Sequence, residues 1–165
     1  MSGAAALPAG APAAARPAVR FYDARRLGVD ERGLRELVRA RCRESGAAHF
    51  SRSYRYPFAV AAWHSLPLGV DLERVEQFGR PFAESIATPL ELARIERVGR
   101  PDDAWIASLW SGKEAVAKAY GDAVDYDPRR LDSPLTWPDG EAGRWRAVPL
   151  AAPLGHRGWV CWRAE

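Results

Sequence analysis

The chain has 165 residues, 24 basic and 21 acidic side chains, a formal net charge of +3 and a mean hydropathy of −0.32. That length suits one domain with its own core, no apolar run approaches the ~20 residues that span a bilayer, and Cys42 and Cys161 are too few for a disulfide framework. Twenty-two of the basic residues are Arg, only Lys113 and Lys118 are Lys, and residues 16–55 hold 11 Arg against 5 acids, a basic first third suited to a phosphate- or carboxylate-rich partner.

In chain order, residues 1–19 are Ala/Pro-rich without periodicity and read as a disordered leader before a single domain at 20–165. Without a basic start and a strongly apolar stretch the leader is a poor signal peptide, which places the chain in the cytoplasm, away from membranes. Residues 20–27 read as a short strand. Asp30 then caps a helix in which Leu34, Leu37, Val38 and Cys42 keep helical spacing until Gly46, with Arg32, Arg35, Arg39, Arg41 and Arg43 on the other faces. Residues 56–63 (YPFAVAAW) read as a buried strand and 68–75 (LGVDLERV) as its hairpin partner.

Thr88-Pro89-Leu90-Glu91 is a helix start with a capping box, and Gly99 ends that helix. Asp102 opens the longest helix, which runs to about Tyr120 and stops at Gly121. Trp105, Leu109, Gly112, Val116 and Tyr120 step along one of its faces, and Trp110, Glu114 and Lys118 line a neighbouring one. Strands at 135–137, 144–150 and 158–163 complete an order that predicts an α+β fold, an antiparallel sheet packed by two or three helices.

Asp71 and Glu73, two apart on a strand, project from the same face. Glu114 lies on the long helix with Lys118 one turn further. Three carboxylates so combined make a hard-oxygen site for Mg²⁺, or Mn²⁺, holding a phosphate-containing substrate, with a lysine for the oxygens the metal does not reach. Taken singly, a D-x-E on a strand or an i,i+4 Glu–Lys pair is ordinary surface chemistry; the combination, with both lysines on one helix, sets this one apart. His49, His64 and His156 have no metal-ligand spacing, the two cysteines read as small buried hydrophobes, and no Gly-rich phosphate loop, nucleophile elbow or zinc signature is present.

The run Gly69-Val70-Asp71-Leu72-Glu73, a gap of about forty residues, and Trp110-Ser111-Gly112-Lys113-Glu114-Ala115-Val116-Ala117-Lys118 together resemble the paired signature of 4'-phosphopantetheinyl transferases. The likeness is closest to the Sfp type, over residues 50–131 and more loosely to Trp162. It implies that family's fold, with Asp71, Glu73 and Glu114 as ligands of Mg²⁺ on the pyrophosphate of coenzyme A. It also implies that Lys118 touches that phosphate, with Lys113 as a second phosphate contact or a site-positioning residue. Glu114 would draw the proton from an acceptor serine of an acyl or peptidyl carrier protein, in polyketide, nonribosomal peptide or fatty acid biosynthesis. The Arg-rich first third would suit the acidic helix such carriers present.

Two departures from the family pattern stand out. Its Ser-His-Ser element, which helps hold the coenzyme's phosphates, is matched by Ser51-Arg52-Ser53; Arg52 can grip a phosphate with its fork but cannot titrate near neutral pH. The Sfp type also has two similar halves, and here residues 20–46 correspond to a shortened first one. Either that remnant suffices, or a second copy of the chain completes the cleft as in the small carrier-protein synthases. The alternative is a non-transferring relative reused as a coenzyme- or carrier-binding module or for another biosynthetic step. Nucleic-acid binding through the Arg-rich helix is a further reading, and it demands an affinity that falls steeply with salt.

Overall fold

The computed structural model of the chain describes residues 16–98, 102–121 and 125–164. Strands β1 (Ala18–Asp23), β2 (His49–Arg55) and β3 (Phe58–His64) form one antiparallel sheet in the order β1-β3-β2. Strands β4 (Leu68–Arg74), β5 (Glu141–Ala142), β6 (Trp145–Pro149) and β7 (His156–Arg163) form a second, in the order β4-β7-β6-β5. The helices are α1 (Ala24–Leu27), α2 (Glu31–Glu44), α3 (Arg80–Ile86), α4 (Pro89–Val98) and α5 (Asp103–Tyr120). The fold is α+β, with antiparallel sheets packed against helices.

The alternation of side chains along a strand builds the layers. On β3, Ala59 and Ala61 pack beneath Leu34, Val38 and Cys42 of α2. Val60 and Ala62 point the other way, against Val70 and Leu72 of β4 and Val160 and Trp162 of β7. On the far face of the second sheet, Trp159 and Cys161 meet Ala115, Val116 and Ala119 of α5. The succession is therefore α2, first sheet, second sheet, α5.

The edges of the two sheets meet where β2 runs alongside β4. This seam is parallel and made by side chains: the Val70 N–H donates to Ser51 Oγ at 3.0 Å, and an Arg74 guanidinium N–H donates to the Tyr56 carbonyl at 2.7 Å.

Caps read from the sequence form as expected. The Asp30 carboxylate accepts from the Gly33 N–H, Asp102 accepts from Trp105, and Thr88 and Glu91 exchange capping-box bonds. Gly121 closes α5 with φ +87°, a backbone conformation that favours glycine.

Other expectations are corrected. Residues 56–63 and 68–75 do not pair as a hairpin. The first run is apolar on both faces, so it takes the centre of a sheet between β1 and β2, which leaves β4 to pair with β7. Residues 20–27 split into the end of β1 and a helical turn capped by Asp23. Residues 134–136 form a 3₁₀ turn rather than a strand, because Pro134 lacks an N–H and Ser133 caps the turn. β1 begins inside the stretch read as leader, residues 1–15 of which lie outside the described residues, as does Gly99.

α5 lies on β4 with no room for a side chain at Gly69. A Cβ there would stand 2.0 Å from the Ala115 carbonyl oxygen, 2.5 Å from the Ala119 nitrogen and 2.7 Å from Lys118 Cβ. Gly69→Ala must push α5 off the sheet, and urea unfolding should register a loss at or above the top of the usual ~1–3 kcal/mol for overpacking. A loss below about 1 kcal/mol would contradict this contact.

Candidate active site

Asp71 and Glu73 alternate with core-facing Val70 and Leu72 on β4, so both carboxylates leave the face that α5 covers; they are only 3% and 6% exposed. Each has an internal partner. Asp71 Oδ1 accepts from Ser53 Oγ at 2.8 Å and from Lys118 Nζ at 2.6 Å. Both oxygens of Glu73 are taken by the Arg55 fork, Nε at 2.7 Å from Oε2 and the second nitrogen on Oε1.

From α5, Lys118 Nζ also reaches the Val70 carbonyl at 3.3 Å and Ser111 Oγ donates to the Asp71 carbonyl at 3.1 Å. Glu114 Oε1 accepts from the Tyr126 hydroxyl at 2.6 Å. These groups open on a cleft of about 300 Å³. Its acids are Asp71, Glu73 and Glu114, its cations Arg35, Arg52, Arg55 and Lys118, and Ser53, Tyr54 and Trp110 complete the lining.

Burial pushes the Glu73 carboxyl up to about 7, and neighbouring Asp71 adds to the rise while Arg55 and Lys118 oppose it. Tyr126 is raised by burial and by its bond to Glu114, so it remains a protonated donor. Asp71 Oδ2 is buried with no hydrogen-bond partner.

Among the described residues no three His, Cys, Asp or Glu side chains gather closely enough to hold a metal by themselves. Mg²⁺ commonly takes one or two carboxylates and completes its shell with substrate phosphates and water. Two neighbouring carboxylates, one with an unsatisfied buried oxygen, fit that mode.

A family model described as the 4'-phosphopantetheinyl transferase superfamily matches residues 67–151. The chain belongs to that superfamily. The matched stretch holds Asp71, Glu73, Glu114 and Lys118, while Ser51, Arg52, Ser53, Arg55 and Arg35 precede it. No curated protein matches the chain. Membership makes phosphopantetheine transfer the general activity and the chain a transferase. Among the described residues no helix is long and apolar enough to cross a membrane.

Of the residues singled out in the sequence, Asp71, Glu73, Glu114, Lys118, Arg52 and Ser53 line the cleft. Ser51 does not; its hydroxyl belongs to the seam.

Lys113 requires a correction as a phosphate contact. Its side chain is completely buried, with Nζ 2.7 Å from Glu91 Oε2 and donating to the carbonyls of Pro128 and Leu131. Burial lowers its pKa, against the pull of Glu91. One residue before Glu114 is about 100° around the helix, which puts Lys113 with Leu109, Val116 and Ala117 on the packed side. The i,i+4 relation to both Leu109 and Ala117 was the signal for this placement. Glu91 completes the hub, accepting from the backbone N–H groups of Thr88 and Ser133.

Arg35, Arg55 and Tyr126 were not identified from the sequence. Arg55 would have followed from period-two spacing with Ser51 and Ser53 had residues 49–55 been recognised as a strand. Tyr126 and Arg35 carry no local signal, since one reaches the site from the segment after α5 and the other from α2, both placed by packing.

Two measurements check these assignments. Lys113→Met leaves the Glu91 carboxylate buried without its cation and should cost about 3–5 kcal/mol in urea unfolding; a cost below about 1 kcal/mol would contradict the buried pair. Glu73 rises from an ordinary 4.5 to about 7 on folding. Between those values the folded chain keeps a proton that the unfolded chain has lost, so this group's contribution to stability falls as pH rises through that window. In chelator-containing buffer, Glu73→Gln should flatten the decline in urea midpoint between about pH 5 and about pH 8. An unaltered slope would show that Glu73 does not titrate there.

Proposed function

We propose that this chain transfers 4'-phosphopantetheine from coenzyme A to a serine of an acyl or peptidyl carrier protein in a Mg²⁺-dependent reaction. The observation that carries the reading is the meeting of two motif segments about forty residues apart, Asp71/Glu73 and Glu114/Lys118, in one cleft that also holds Arg35, Arg52 and Arg55. Acids for a divalent cation and cations for phosphate oxygens lie side by side there, as a metal–pyrophosphate ligand requires.

In this reading Asp71 and Glu73 would hold the metal together with the coenzyme's pyrophosphate, and Glu114, which lines the same cleft, is left to act as the base. Mg²⁺, when bound, supplies neutralisation of the charge developing on the phosphates and orients the displacement. Lys118 offers an ammonium point charge to a phosphate oxygen, and Arg52, in the place of the family's His, offers a fork. Glu114 takes the proton of the acceptor serine. The serine oxygen bonds to the β-phosphorus, the bond to the bridging oxygen breaks, and 3',5'-adenosine bisphosphate leaves with the electron pair. Arg35 of α2 and Arg52 of β2 place basic charge at the coenzyme's phosphate end.

The carrier's acidic helix is matched to the Arg-rich α2. Arg32, Arg35 and Arg41 are paired along that helix with Glu36, Glu31 and Glu44, yet its sequence remains richer in arginine than in acid.

Incubation with coenzyme A, Mg²⁺ and a panel of apo carrier proteins should add one phosphopantetheine to at least one carrier, read by mass spectrometry. Glu114→Gln should slow that transfer by roughly 10²–10⁴-fold, the range for loss of a general base. A complete lack of transfer, with coenzyme binding that survives Glu114→Gln, would replace the reading with a binding module.

A further inference from the structure

We propose that Arg55 is a built-in counter-cation of the metal site, holding Glu73 while no divalent cation is bound and ceding it when one enters. The proposal rests on the transferase reading of the cleft.

Two carboxylates buried on one strand face repel each other and are desolvated by that burial, so they require internal compensation. Lys118 and Arg55 provide it in different ways. The Lys118 ammonium touches one oxygen of Asp71 and leaves Oδ2 without a partner. The Arg55 fork engages both oxygens of Glu73. Asp71 thus keeps an oxygen for a metal, whereas Glu73 has both oxygens engaged until Arg55 moves.

Arg55 is placed to move. Its side chain is 42% exposed while that of Glu73 is 8% exposed, so the carboxylate is fixed on a buried strand and the guanidinium sits at the mouth. Arg55 lines the cleft beside Arg35 and Arg52. A guanidinium displaced from Glu73 therefore stays where a phosphate group would lie.

The exchange couples two ligands. A cation that takes Glu73 frees Arg55 for an anion, and an anion that draws Arg55 away opens Glu73 to a cation. By thermodynamic linkage each strengthens the other through this one side chain. Arg55 lies on β2, before the stretch matched by the family model.

The test is Mn²⁺ binding to the full chain without coenzyme, followed by the electron paramagnetic resonance signal of free Mn²⁺. Arg55→Gln should bind Mn²⁺ at least about 5-fold more tightly than the unaltered chain, the low end of site-to-site coupling, and Arg55→Lys should fall between them. Added sulfate should tighten Mn²⁺ binding by the unaltered chain and have less effect on Arg55→Gln. Equal or weaker binding by Arg55→Gln, or no binding by any of the three, would overturn the proposal. Thermal unfolding confirms that each variant is folded; if Arg55→Gln is not, Arg55→Lys carries the comparison. Phosphopantetheine transfer by the unaltered chain, run in parallel, reports separately on the transferase reading.

Discussion

Contact between the backbones of β4 and α5 at Gly69 sets the geometry of everything else in the site. Because the helix lies directly on the strand there, Ser111 reaches the Asp71 carbonyl and Lys118 reaches both Asp71 and the Val70 carbonyl. Glu114, one turn before Lys118, then opens on the same cleft as Asp71 and Glu73. The same helix face continues onto β7, where Trp159 donates to Ser108 at 2.8 Å. A glycine in the acidic motif thus acts through distance: it brings a helix close enough for short side chains to span the gap.

Charge is the second constraint. Every acid in the cleft has a neighbour that makes its burial tolerable: Ser53 and Lys118 for Asp71, Arg55 for Glu73, Tyr126 for Glu114. Ser53 and Arg55 also stitch β2 to β4, so the groups that join the two sheets are the groups that line the site. A buried ion pair is a weak source of net stability but penalises a missing partner heavily, and this favours one arrangement of the seam. Lys113 and Glu91 apply the same logic away from the cleft, tying α4 and α5 to the 128–134 segment.

Much of the fold could be read locally. The caps at Asp30, Thr88 and Asp102 depend on residues within a few positions of each other, and they form as the sequence predicts. Helical periodicity located α2 and α5 for the same reason. Local pattern leaves the pairing open where one run permits two partners. The stretch Phe58-Ala59-Val60-Ala61-Ala62 has no polar face to mark an edge, so nothing in it says that β2 and β1, rather than β4, are its neighbours. Polar β2, with its serines and arginines, carries no apolar run to mark it as a strand.

The sequence alone determined which residues share a face with Glu114, that Asp71 and Glu73 project together, and to which superfamily their spacing belongs. These follow from the fixed periods of helix and strand. Only the tertiary structure decided which lysine meets the cleft, which arginine holds Glu73, and that a tyrosine holds Glu114. Those partners lie 12 to 47 residues apart, and at such separations the packing of whole elements, not local periodicity, selects the contact. Lys113 and Lys118 are alike in the chain; burial against Glu91 made one a structural tether, and the approach of α5 to β4 gave the other to the site.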